Sequence, residues 1–228
     1  ILNPRPPAPV RARLLPAYRA YNAVMDALAK AVPAQVIAPG YDTTTSFCLA
    51  HLGEKGYSVY LEIFGGGYGA GAGNDGVDAV DSPLSNCSNT PVESLDADYD
   101  FFRVTGYEMI ADSFGDGEHR GGAGFRRRYE ILKDDVKLQT YADRHRLPPE
   151  GVFGGTAAAN GRTLLWRGDD VSTVPPKANL TFQKGDVIEI QPGGGGGYGL
   201  PAKRQPEARD EDIANGLVVS PSQQVAAE

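Results

Sequence analysis

Short polar side chains gathered around glycine turns are the groups in this sequence best placed to do chemistry. Asn74-Asp75-Gly76 with Asp78 follows the glycine-rich stretch Gly65-Gly66-Gly67-Tyr68-Gly69, and Asp75 is the carboxylate best placed to act as a catalyst or to orient a substrate. The competing account is an Asp-Gly turn in which Asp75 hydrogen-bonds its own backbone, with Asp78 capping or bracing it. Asn86, Asn89, Thr90 and Glu93 surround Pro91. They read either as an ordered loop that satisfies buried backbone groups, or as a set in which Asn89 and Glu93 orient ligands supplied from elsewhere. His119 and Arg120 precede Gly121-Gly122, and a guanidinium there suits a carboxylate or phosphate as well as it suits bracing a sheet corner. Tyr68 and Tyr198, each set among glycines, are expected to wall a pocket or a subunit contact.

The five consecutive glycines Gly193 to Gly197 follow an alternating segment, Asp186 to Pro192. Such a run admits positive φ and lets another backbone come close, or aims amides at an anion. It lacks the Gly-Lys-Ser/Thr of a phosphate loop, because Tyr198-Gly199-Leu200-Pro201 follows, and it lacks the spaced glycines and following helix of a dinucleotide site. A packing role is favoured over ligand contact. The three histidines, His51, His119 and His145, are scattered, and Cys48 and Cys87 share no metal-ligand spacing, so no metal site is expected from this chain. His145, between two arginines, reads as surface.

These groups need a frame. A chain of 228 residues, 41% hydrophobic and with a net charge of -7, is of globular composition, and its balance disfavours a nucleic-acid partner. The densest basic cluster, Arg126-Arg127-Arg128, would alternate faces in a strand and reads as solvated charge. No apolar run is long enough to span a bilayer, no signal-peptide pattern is present, and the cysteine usage suits reduced thiols, so a cytoplasmic protein is expected.

Residues 1–10 are proline-rich and expected to be extended. Leu14, Tyr18, Tyr21, Met25, Leu28 and Val32 recur in steps of four and three, which predicts an amphipathic helix of about five turns ended by Pro33, its stripe facing the core. From residue 41 the period becomes two. Strands are expected at Thr43–His51, Tyr57–Ile63, Phe101–Ile110, Phe125–Leu132, Val136–Tyr141, Thr163–Arg167 and Val187–Gln191. Strands in succession imply antiparallel sheets, and the fold class is β-rich α+β, a sandwich or irregular barrel with an N-terminal amphipathic helix and a short helical tail. In the tail, Pro206 to Asn215 reads as an acidic helix closed by Gly216, and Ser220-Pro221-Ser222 opens another.

Several motifs in order resemble the C-terminal part of the hydantoinase B family, the B-type subunit of ATP-dependent hydantoinases, 5-oxoprolinases, lactamases such as caprolactamase, and acetone and acetophenone carboxylases. They are Pro9-Val10-Arg11-Ala12-Arg13, the Gly65–Asp78 stretch, Asn86-Cys87-Ser88-Asn89-Thr90-Pro91-Val92-Glu93, Asp112-Ser113 through Arg120-Gly121-Gly122-Ala123-Gly124, Gly185-Asp186-Val187, and the glycine run. The resemblance implies that residues 1–228 are the C-terminal half of such a subunit: an arm and helix (1–35), a β-rich body (36–192), and a glycine loop with helical tail (193–228). It implies an N-terminal B-type half, separately encoded or cleaved, where the family carries its metal ligands, and an A-type ATPase-like partner that phosphorylates the substrate. The complex would use ATP, Mg2+ and a divalent transition metal, none held by this chain alone, to open a hydantoin, 5-oxoproline or lactam ring. Ketone carboxylation and a non-catalytic scaffold role are the alternatives. In that setting Asp75 and Glu93 are the catalytic candidates, with Tyr68, Asn74, Asp78, Asn89, Arg120 and Tyr198 contacting substrate or supporting the site.

Overall fold

The computed structural model describes residues 4–8, 14–54, 56–80 and 90–219. In chain order the elements are α1 (Leu14–Leu28), β1 (Thr45–Gly53), β2 (Gly56–Phe64), α2 (Val92–Asp98), β3 (Phe102–Met109), β4 (Phe125–Ile131), β5 (Val136–Tyr141), β6 (Arg162–Arg167), β7 (Asp170–Thr173), β8 (Lys177–Phe182), β9 (Val187–Gln191) and α3 (Pro206–Ala214). Two antiparallel sheets, ordered β2-β1-β5-β8 and β3-β4-β9-β6-β7, form a sandwich and not a closed barrel. Alternation decides which side chains meet between them: Phe47, Leu49, Tyr60, Phe64 and Leu138 from one sheet, Phe102, Phe125, Tyr129, Ile131, Leu165 and Ile188 from the other. The expected strands are all present within a few residues. β7 and β8 were not anticipated, nor was α2.

Arg127 departs from expectation. The triplet does alternate faces, but Arg127 points inward, 1% exposed, and pairs with Glu62, which also accepts hydrogen bonds from the Tyr60 and Tyr129 hydroxyls. Tyr107 covers its guanidinium at 4.8 Å. Buried charge survives here because a carboxylate and aromatic faces replace water. Arg126 and Arg128, on the outer face, pair with Glu108 and Glu189.

Helix α1 is shorter than expected, and its stripe faces inward but is only partly buried. Only Tyr18 and Asn22 are buried, while Leu28 is 41% exposed. The surface beneath is polar: Arg19 donates to the Asp42 carbonyl, and the Asn22 amide bridges Asp42 and Arg144 at 3.0 Å each. The arm is not extended throughout either, since the Ala8 amide donates to the Arg5 carbonyl at 3.0 Å and closes a turn that proline's fixed φ favours. The motif at 9–13 and the second tail helix lie outside the described residues, as do Asn86, Cys87 and Asn89.

The glycine run is the second structural centre. All five glycines are buried, and none has positive φ; glycine is required for approach and not for a left-handed backbone. A Cβ on Gly193, Gly194, Gly195, Gly196 or Gly197 would lie 2.0–2.3 Å from the carbonyl oxygen of Ala159, Ser113, Tyr68, Glu150 or Asp116 respectively. Carbonyls from the loops around Tyr68, Ser113–Asp116, Glu150 and Ala159 therefore wrap one buried segment. Amides of residues 194, 195, 196 and 197 donate to Ser113, Gly122, Pro39 and Thr156. The run ties the loops together as a backbone bundle beside the sandwich.

Candidate functional site

The loops fastened by this bundle bring Asp75, Asp78 and Arg120 together. Asp75 Oδ1 accepts from the Arg120 amide at 2.8 Å and from Arg204 Nη1 at 2.8 Å, while Oδ2 accepts from Arg204 Nη2 at 2.8 Å. Asp78 Oδ1 accepts from Arg120 Nη1 at 2.8 Å and from the Ala123 amide at 2.7 Å. Asp212, from α3, completes the array by accepting from Arg120 Nε at 2.7 Å and Arg204 Nη2 at 2.6 Å. Three carboxylates and two guanidiniums thus interlock, and Arg120 stacks 4.8 Å over Phe114. Bidentate Arg–carboxylate geometry recurs at Arg204–Asp75 and fixes orientation as well as charge.

Burial works to raise the Asp75 pKa, but hydrogen bonding to Arg204 and the Arg120 amide outweighs it and holds the carboxyl below its ordinary 3.8. An ionised Asp75 accepts hydrogen bonds and balances cations, and its basicity is low. Its folded-state pKa being depressed, the stability it supplies is complete above the ordinary value and is lost as pH falls through and below 3.8. Asp75→Asn should therefore lower the melting temperature at pH 7 while narrowing the gap to the unmodified protein near pH 3, measured by circular dichroism across that range.

The remaining candidates are placed as follows. Asn74 is exposed, with its Nδ2 donating to the Asp75 carbonyl at 3.3 Å. His119 Nδ1 lies 3.8 Å from Asp75, and its backbone bridges Tyr198. Tyr198 donates to the Pro33 carbonyl at 3.0 Å and meets Phe153 edge-on. Tyr68 sits half-buried under α1, where burial first, then Tyr21, Asp42 and Tyr18, push its hydroxyl to about 12. Glu93 is exposed in the first turn of α2, and among the described residues nothing joins it to the Asp75 cluster. Asn89 lies outside the described residues.

Sequence reasoning missed Arg204 and Asp212, whose only signal was a basic residue before an acidic helix. It also missed the polar nest under α1. There burial, opposed mainly by Arg144 and Arg19, raises the Asp42 pKa, and Tyr18 Oη, Arg19 Nε and Thr44 Oγ1 are buried without a partner among the described residues. Among the described residues no three His, Cys, Asp or Glu side chains converge as a metal site, so these residues do not fit a divalent metal centre. No helix among them is long and apolar enough to cross a membrane.

The fold as a whole is shared with chains of two solved ATP-dependent enzymes. Over 95% of its length the chain matches the crystal structure of ATP-dependent caprolactamase from Pseudomonas jessenii, with a TM-score of 0.81 and 27% identity, covering 39% of that chain. Nucleotide-free acetone carboxylase shares the fold over 85% of the chain, with a TM-score of 0.70 at 19% identity and 30% coverage of its own length. The chain belongs to the Hydantoinase B/oxoprolinase family, whose profile matches residues 1–201. It is 33% identical over 221 residues to a protein of Pseudomonas sp. (strain NS671) named as the B-type subunit of a D-/L-hydantoinase, spanning 96% of this chain and 37% of that relative. The chain therefore spans under two-fifths of the length of these relatives.

Proposed function

We propose that this chain supplies the C-terminal part of the B-type component of an ATP-dependent cyclic-amide hydrolase, acting on a hydantoin, 5-oxoproline or lactam. The observation that carries the reading is likeness in both fold and sequence to the ATP-dependent caprolactamase across nearly the whole chain. The partners are an A-type ATPase-like subunit and the N-terminal B-type part, in the cytoplasm, and ATP, Mg2+ and a divalent transition metal act elsewhere in the assembly. Ketone carboxylation is the second reading, favoured by the fold shared with acetone carboxylase.

Phosphorylating an amide oxygen turns a poor electrophile into one with a good leaving group, and the chain's share is to position it. Asp75, ionised and locked to Arg204, orients rather than transfers protons, since a general base works best with a pKa near the operating pH. Asp78 and Arg120 hold its loop, Asn74 adjoins it, Tyr198 is linked to it through His119, Tyr68 is held beneath α1, and Glu93 is assigned to orienting ligands contributed by the partner half, a role that Asn89 shares on the sequence pattern alone. Glu93→Gln and Asp75→Asn in the assembled complex should each reduce kcat while the assembly elutes unchanged. Wild-type turnover in both variants would leave the chain a scaffold only.

A further inference from the structure

Away from the Asp75 cluster, a cleft of about 410 Å³ opens beside the first glycine of the run, lined by His145, Asn160, Gly161, Arg162, Gln191 and Gly193. We infer that it is a binding site for a small organic carboxylate, with Arg162 as the cationic partner, the Gly193 amide as a second donor and His145 as a neutral hydrogen-bonding wall. The assignment does not depend on the hydrolase reading.

Three independent observations carry it. The first is charge. Each arginine of β3 and β4, Arg103, Arg126, Arg127 and Arg128, is ion-paired, whereas Arg162 meets only the neutral Gln191 amide, through Nε. Gln191 in turn donates to Glu189, whose charge Arg128 balances at 2.6 Å. Arg162 therefore keeps an uncompensated charge, and its Nη edge, unengaged among the described residues, is the fork that matches a carboxylate.

The second is the glycine amide. The N–H groups of the four glycines after Gly193 all have acceptors, while the Gly193 N–H has none among the described residues, although the residue is buried. A buried amide left unmatched is uncommon, and an oxygen acceptor in the cleft would satisfy it.

The third is the rigidity of the wall. His145 follows Arg144, a non-glycine residue at φ +61 whose guanidinium donates to the Tyr41 carbonyl at 3.4 Å and the Pro148 carbonyl at 3.0 Å and to the Asn22 amide. The Gly161 amide donates to the Arg144 carbonyl at 3.0 Å, and a Cβ on Gly161 would sit 2.3 Å from the Tyr41 hydroxyl. A backbone held in this sparse region points to a fixed presentation of the next side chain. Burial, opposed by Asp143, lowers the His145 pKa and keeps the imidazole neutral. One cation beside a neutral imidazole, with no lysine in the lining, fits a monoanion better than a phosphate dianion.

Ligand-observed NMR on the assembled protein tests this, titrating N-acetylglycine, its neutral analogue N-acetylglycinamide and inorganic phosphate. The carboxylate should bind saturably and at least about tenfold tighter than the amide, a margin typical of losing a bidentate charged contact, and Arg162→Gln should remove that margin. His145→Phe should weaken binding less, and Lys177→Gln, outside the cleft, should leave it unchanged. Arg162 is exposed, so its loss should spare the fold, which circular dichroism would verify. Equal binding of acid and amide, tighter binding of phosphate, or an unchanged Arg162→Gln variant would each overturn the inference.

Discussion

Gly195→Val should yield no soluble folded protein. A Cβ there would stand 2.0 Å from the Tyr68 carbonyl oxygen and 2.7 Å from the Gly69 nitrogen, and both are backbone atoms that cannot rotate aside. Tyr68 cannot retreat, because its own amide donates to Val77 and its carbonyl accepts from Gly122. Gly197→Val meets the Asp116 carbonyl at 2.1 Å and should fail likewise. Gly154→Ala is milder: its φ of +96 costs roughly 1–2 kcal/mol, and its new methyl presses on the flexible Leu200 side chain. Gly106→Ala, which makes only ordinary contact at 3.5 Å with Arg128 Cβ, should fold normally. Soluble yield and thermal melts order the four, and wild-type behaviour of both valine variants would reduce the run to a linker.

Arg120→Ala should destabilise the protein by about 3–5 kcal/mol, the range for removing one partner of a buried ion pair. Its side chain is 8% exposed and satisfies Asp78 and Asp212 together, so truncation leaves Asp78 without its cation and Asp212 with Arg204 alone. The tail should loosen first, because Asp212 links α3 to the body. Arg103→Ala is the control: its pair with Glu130 is 55% exposed on the arginine side, and exposed pairs contribute about 0–1 kcal/mol. Urea unfolding of the two variants at pH 7 measures the difference, and equal losses would show that the cluster does not hold the tail.

Strands with one buried face were legible, because Phe125, Tyr129 and Ile131 alternate with the charged Arg126, Arg128 and Glu130. β7 was not, since all four of its residues are exposed and carry no period. β8 does alternate Ala178, Leu180 and Phe182 inward, but it is short and follows two prolines that read as loop. α2 buries only Leu95, too little for a helical stripe. The Asp75–Asp78–Arg120 grouping was foreshadowed by short polar residues at glycine turns, whereas its closure by Asp212 spans 92 positions and leaves no local trace. Alternation gave Arg127 its face without revealing that this face would hold a carboxylate. His145 looked like surface because two arginines flank it, and only the Arg144 anchor turns it into a cleft wall.

Release of ADP coupled to ring opening, measured on the purified complex containing this chain, tests the central claim most directly. Hydantoin, 5-oxoproline and caprolactam would be offered separately, with acetone and acetophenone plus bicarbonate as the contrast. ATP-dependent opening of at least one cyclic amide, with no bicarbonate-dependent ketone consumption, is the expected result. Ketone consumption without amide opening would contradict the hydrolase assignment.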